Sequence, residues 1–137
     1  MENDIRWKQR FNNFARAVSL LNEVSEMNIS TLSQLEKEGI VQRFEFTLEL
    51  AWKTLKDKME DDGLILDKIS PKSVIRDAYQ AKYIDNVESW LKMIGDRNLM
   101  SHTYDFDTFE LIIPTIVTEY AKTLNEFYLS LNNKILK

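Results

Sequence analysis

Residues 40–62 read IVQRFEFTLELAWKTLKDKMEDD, and this stretch decides the fold. Phe44, Leu48, Ala51, Trp52, Leu55 and Met59 recur at spacings of three and four, so on an α-helix they fall within roughly 100° of one another. Glu45, Glu49, Lys53 and Lys56 make a narrow opposing polar strip, flanked by Phe46 and Leu50. A helix with so little polar face packs on more than one side, inside a bundle or against another chain. Glu49 and Lys53, four residues apart, add a favourable pair worth about 0.3 kcal/mol. Asp61-Asp62-Gly63 ends the helix, because glycine takes the left-handed conformation beyond a helix end at little cost.

Working outward, Trp7, Phe11, Phe14, Val18 and Leu21 form the apolar stripe of an opening helix over about residues 3–28. Asn28 to Thr31 is a polar break, with Ser30 or Thr31 capping a short helical stretch to Glu38 and Gly39 interrupting it. On the other side, Ser70-Pro71 is an N-cap followed by proline at the first helical position, which predicts a helix to about Tyr83. Val74, Ile75, Ala78 and Tyr79 turn inward there, and Lys72 and Arg76 outward. Asn86 caps a fourth helix whose apolar positions are Val87, Trp90, Leu91 and Ile94. Asp107-Thr108-Phe109-Glu110 has the form of a capping box opening a fifth helix, with Phe109, Ile112, Ile113, Ile116, Tyr120, Leu124, Phe127 and Leu131 as its stripe. Pro114 inside that stripe predicts a kink or a later true start.

The bulk numbers agree with this pattern. The chain has 137 residues, 44% hydrophobic and 29% charged, with three glycines and two prolines. We therefore expect one domain over residues 1–137, an all-α antiparallel up-and-down bundle of four to five helices. The absence of cysteine excludes a disulfide framework, thiolate metal sites and a cysteine nucleophile. The single histidine excludes the multi-histidine sites of most hydrolytic metalloenzymes. A net charge of −4 means that any nucleic-acid contact is local. The longest nearly apolar run, Leu111 to Val117, is broken by Pro114 and Thr115, so neither a signal segment nor a membrane partner is expected, and the address is cytoplasmic.

The one histidine lies in Arg97-Asn98-Leu99-Met100-Ser101-His102-Thr103-Tyr104, at the end of the fourth helix. An imidazole that titrates near neutrality and a permanent cation are the groups that cleave a phosphodiester without metal or cofactor. His102 would take the proton from a ribose 2′-hydroxyl, and Arg97 would stabilise the phosphorane. Asn98, four residues before His102, can orient the imidazole, and Ser101 can add a hydrogen bond. At 100° per residue Arg97 lies about 140° from His102, on the flank shared with Trp90, while Asn98 and His102 project on the side of Val87, Leu91 and Ile94. Convergence then needs a reach around the helix edge, a distorted helix, or a second chain with its own copy, and a two-fold seam supplies the last.

The same residues have plainer readings. A histidine at a helix end serves structure, Tyr104 packs on the fifth helix, and Ser101 is solvated. Lys53, Lys56, Lys72 and Arg76 are the available RNA-contacting basic groups or simply a solvated surface. Asp105 and Asp107 could hold a divalent ion near His102, but read more simply as caps, and we assign no metal.

An arginine followed by a polar residue, with histidine five positions after the arginine and tyrosine two beyond, resembles the HEPN family. The string from Arg97-Asn98 to His102-Thr103-Tyr104-Asp105, joined to Gly39–Lys53, is similar to its HepT-like branch, also described as nucleotidyltransferase substrate-binding proteins. The resemblance covers nearly the whole chain. It implies a homodimeric helical bundle with a metal-independent ribonuclease site built from Arg97, Asn98 and His102 of both chains. It also implies a cognate minimal nucleotidyltransferase, which in toxin–antitoxin members silences the toxin by transferring AMP to the motif tyrosine, here Tyr104. An adenylylated phenol would add charge and bulk at the cleft mouth. The alternative within the resemblance is a non-catalytic substrate-binding subunit of a two-component nucleotidyltransferase.

Overall fold

A computed structural model describes residues 2–101 and 106–136. Its regular elements are helices throughout: α1 (Glu2–Asn22), α2 (Gln34–Asp61), α3 (Pro71–Gln80), α4 (Val87–Ser101), α5 (Phe106–Thr115) and α6 (Ala121–Leu136). The fold is an all-α bundle, as the periodicity predicts.

α2 is the central element, packed along α1 and touching α3, α4, α5 and α6. Phe44, Leu48, Ala51, Leu55 and Met59 are buried on it, with the α1 stripe of Trp7, Phe11, Phe14, Val18 and Leu21 against them. One continuous apolar cluster results, and it is aromatic-rich. Phe14 meets Phe127, Phe127 meets Trp90 edge-on, and Phe44 stacks on Tyr120.

Several element ends differ from the sequence reading. α2 begins at Gln34, not Ile40, because Ser33 and Glu36 form a reciprocal capping box. That nucleus carries the helix through Gly39, whose cost of up to about 1 kcal/mol relative to alanine is too small to interrupt it. α1 stops at Asn22 and continues as a 3₁₀ turn, Glu23–Glu26. Tyr79, expected inside, is exposed, since α3 ends at Gln80 and only Val74, Ile75 and Ala78 reach the core. Gly63 has φ +94°, as the helix stop requires. Asn86 caps α4 by accepting from the Ser89 N–H at 3.1 Å.

The last third of the chain resolves the Pro114 problem in its own way. Phe106 already opens α5, so Asp107 sits in the first turn rather than at the cap. Pro114 lies inside that helix and cannot donate to the preceding turn. A π-helical turn, Ile116–Tyr120, follows directly and passes into α6, with the Ala121 N–H bonded five residues back to the Ile116 carbonyl. The Thr118 hydroxyl donates to the Pro114 carbonyl at 2.8 Å.

Candidate active site

α4 brings Arg97 to α2. The buried residues of α4 are Trp90, Met93, Ile94 and Met100, so Arg97 lies on the inward stripe, while Val87 and Leu91 are only partly covered. This shifts the inward face away from the expected Val87–Leu91 side, because Trp90 is buried edge-on against Phe127 of α6 and Met93, one turn later, is fully buried on the same inward stripe. Arg97 is half-buried, and its Nη2 stands 4.0 Å from Glu49 Oε2. Its Nε is buried without a hydrogen-bond partner among the described residues.

Glu45 and Glu49, one turn apart on α2, are the carboxylates that Arg97 meets. Burial raises the Glu45 carboxyl above its ordinary range, and the Arg97 charge only partly offsets it. Burial also pushes Glu49 up, but hydrogen bonds from Lys53 and Trp52, with the Lys53 and Arg97 charges, outweigh it and hold the carboxyl low. The Trp52 Nε1–H donates to Glu49 Oε2 at 3.1 Å, and Lys53 Nζ lies 3.0 Å from Glu49 Oε1. Glu49 therefore stays ionised at neutral pH and faces Arg97 as an anion.

These groups line an open groove, bounded by Glu38, Val41, Gln42 and Phe46 of α2 and Phe109 of α5. A salt bridge from Lys37 Nζ to Glu110 Oε1, 2.6 Å long, ties α2 to α5. Exposed Leu35, Phe46, Leu99 and Leu111 stand on the elements that form the groove.

The other sequence candidates distribute unevenly. Asn98 is exposed on α4, away from the α2 carboxylates. Ser101 is exposed, and its hydroxyl donates to the Asn98 carbonyl at 2.9 Å, so it serves the helix end. Lys53 is engaged by Glu49, and Lys56 by Asp57 and Glu60. Arg76 is exposed and lines a separate depression between α3 and residues 64–68 that shares no residue with the Arg97 groove. His102, Tyr104 and Asp105 lie outside the described residues. Among the described residues no cluster of three or more metal-ligating side chains occurs, and no helix is long and apolar enough to cross a membrane.

The sequence marked Glu45 and Glu49 only as part of a narrow polar strip and did not name Arg97 as their partner. The signal that could have found them was the narrowness of that strip. Polar residues on a helix packed on several sides must meet a partner, and two carboxylates one turn apart ask for a cation.

The fold and the site together define a helical-bundle protein with an arginine of the penultimate helical rod set against paired carboxylates. A family model described as nucleotidyltransferase substrate binding protein like matches residues 9–133, and the chain belongs to that family. Over 70 residues it is 34% identical to a Haemophilus influenzae protein named "Probable ribonuclease HepT", covering 49% of this chain and 48% of that one. The match thus spans about half of that curated relative. A crystal structure of a Thermus thermophilus protein superposes with a TM-score of 0.72 at 31% identity, covering 85% of this chain and 95% of that one.

Proposed function

We propose that the protein is a HepT-like ribonuclease that cleaves RNA by metal-independent attack of the ribose 2′-hydroxyl. In this reading Arg97 stabilises the phosphorane, His102 acts as base, and Asn98 orients the imidazole. The observation that carries it is the Arg97 guanidinium, partly exposed at an open groove and only loosely paired with Glu49, five residues before the only histidine. A guanidinium committed only to structure would be hydrogen-bonded to its carboxylate, whereas this one stands 4.0 Å from Glu49 with 38% of the side chain exposed, which leaves its tip able to meet a phosphate. The name of the Haemophilus relative supports the same chemistry.

The cleft is completed by a second copy of the chain. Exposed Phe46 lines the groove, Leu35, Leu99 and Leu111 are exposed on the helices that form it, and the about 140° between positions 97 and 102 on an ideal helix favours a second histidine facing the arginine. A cognate minimal nucleotidyltransferase silences the enzyme by transferring AMP to Tyr104, making the pair a cytoplasmic toxin and antitoxin. The family description favours a second reading, in which the protein presents substrate to the nucleotidyltransferase without cleaving RNA.

Two measurements separate these readings. Purified protein should cleave RNA in EDTA, and Arg97→Ala or His102→Ala should abolish cleavage without unfolding. Activity that survives both substitutions removes the ribonuclease reading. Incubation with the nucleotidyltransferase, ATP and Mg²⁺ should add the mass of AMP, absent in Tyr104→Phe. A single-chain mass by light scattering at assay concentration would remove the dimer.

A further inference from the structure

Arg97 is braced from two sides, and the α2 carboxylates are only one of them. The residue before it, Asp96, accepts a hydrogen bond from the Tyr120 hydroxyl. Tyr120 is 1% exposed and closes the π-helical turn that follows Pro114. Its ring stacks on Phe44 of α2, with centroids 5.1 Å apart and planes 20° from parallel. Phe44 in turn immediately precedes Glu45. Stacking fixes the tyrosine ring, and the single hydrogen bond fixes its tip to α4.

The π turn explains why Tyr120 stands there. It takes one residue more per turn than an α-helix, and so rotates every later side chain relative to an uninterrupted helix. Charged neighbours keep the phenol in place without competing for its proton. Lys92 Nζ is 5.9 Å from the ring centroid and 3.4 Å from Glu119. Burial first, then Asp96 and Glu119, push the phenol upward, so it remains a donor at physiological pH.

We infer that the Asp96–Tyr120 hydrogen bond is a positioning device for Arg97, fixing the rotation of the last turn of α4 so that the guanidinium is delivered to the groove. Its kinetic consequence rests on the ribonuclease reading, whereas its structural consequence does not. Misplacing a reacting group by about 1 Å can cost on the order of 100-fold in rate, so a bond that sets helix rotation is worth more to the site than to stability.

Tyr120→Phe keeps the ring on Phe44 and removes only the donor. Asp96→Leu removes the acceptor, and Asp96→Asn retains one. The first readout is the ¹H–¹⁵N NMR signal of Arg97 Nε, assigned by its loss in Arg97→Lys. Tyr120→Phe and Asp96→Leu should displace and broaden it, and Asp96→Asn should leave it near the wild-type position. The second readout is RNA cleavage in EDTA, where Tyr120→Phe and Asp96→Leu should each lower kcat about tenfold with KM unchanged, and Asp96→Asn should keep it near the wild-type value.

An Arg97 signal unmoved in both Tyr120→Phe and Asp96→Leu overturns the inference, whatever the cleavage assay gives. So does an unchanged kcat in an active enzyme. A displaced signal in a wild type that cleaves no RNA upholds the positioning role and removes the ribonuclease reading instead.

Discussion

Two carboxylates of α2, Asp57 and Glu49, each face an arginine of another helix, and the two pairs are built to opposite ends. Near its C-terminus Asp57 is 1% exposed, with Arg10 Nε of α1 3.3 Å from Oδ2 and Lys56 Nζ 3.2 Å from Oδ1. The Arg10 contact is an ion pair off the hydrogen-bond line, and bundle packing seals the carboxylate while the Arg10 side chain stays 32% exposed. Nearer the N-terminus, Glu49 is 36% exposed and Arg97 is 38% exposed at a looser 4.0 Å. The chemistry is the same, but in one pair the carboxylate is closed in by its surroundings and in the other both partners open on a groove. A sealed pair holds helices in register, whereas a loose one leaves a cation able to change partners.

That contrast can be broken experimentally, beginning with the largest effect. Arg97→Ala should reduce RNA cleavage on the order of 1000-fold while the melting temperature moves by less than about 3 °C. A collapse of the fold instead would place Arg97 with Arg10 as a structural cation. Asp57→Ala should do the reverse and destabilise the protein by about 3 kcal/mol, because it removes the buried anion that ties Arg10 of α1 to α2 and leaves Lys56 with Glu60 alone. Thermal unfolding should then show a fall of roughly 10 °C, with kcat intact at temperatures where the variant is folded.

Glu49→Gln tests whether the open pair competes with substrate. Freed of an anion, Arg97 should bind phosphate better, lowering KM for RNA about threefold, or ~0.7 kcal/mol. A raised KM would make Glu49 the residue that delivers the arginine.

The smallest effect belongs to Glu45. Its folded carboxyl titrates above the unfolded one, so protonation favours the folded state, and that contribution is complete at low pH and lost as pH rises through the folded value. Glu45→Gln should therefore unfold at slightly higher temperature than wild type at pH 7, with the gap closing on acidification. Equal melting curves at both pH values would count against burial as the cause.

Much of this was legible in the residues. The 3.6-residue stripes of α1 and α2 required a helical bundle, and Gly63, Ser70-Pro71 and Asn86 marked their element ends by side-chain chemistry that acts within four residues. Gly39 and Asp107 misled for the same local reason. A stronger signal nearby, the Ser33–Glu36 box in one case and the earlier start at Phe106 in the other, outweighed them. The Arg97-to-Tyr104 spacing suggested the chemistry proposed above but not the setting of Arg97, because no local rule states which side of α4 meets another helix.

By itself, then, the sequence determined the helical class, the element order and the residue types able to act on a phosphodiester, since periodicity and capping are properties of neighbours in the chain. Only the tertiary structure decided that Arg97 turns inward to Glu45 and Glu49, that Lys53 is held by Glu49, and that Pro114 is absorbed by a π turn that sets Tyr120 on Asp96. These depend on how far each helix rotates about its own axis when Trp90, Phe44 and Tyr120 pack together. That rotation is fixed by the shape of the whole core.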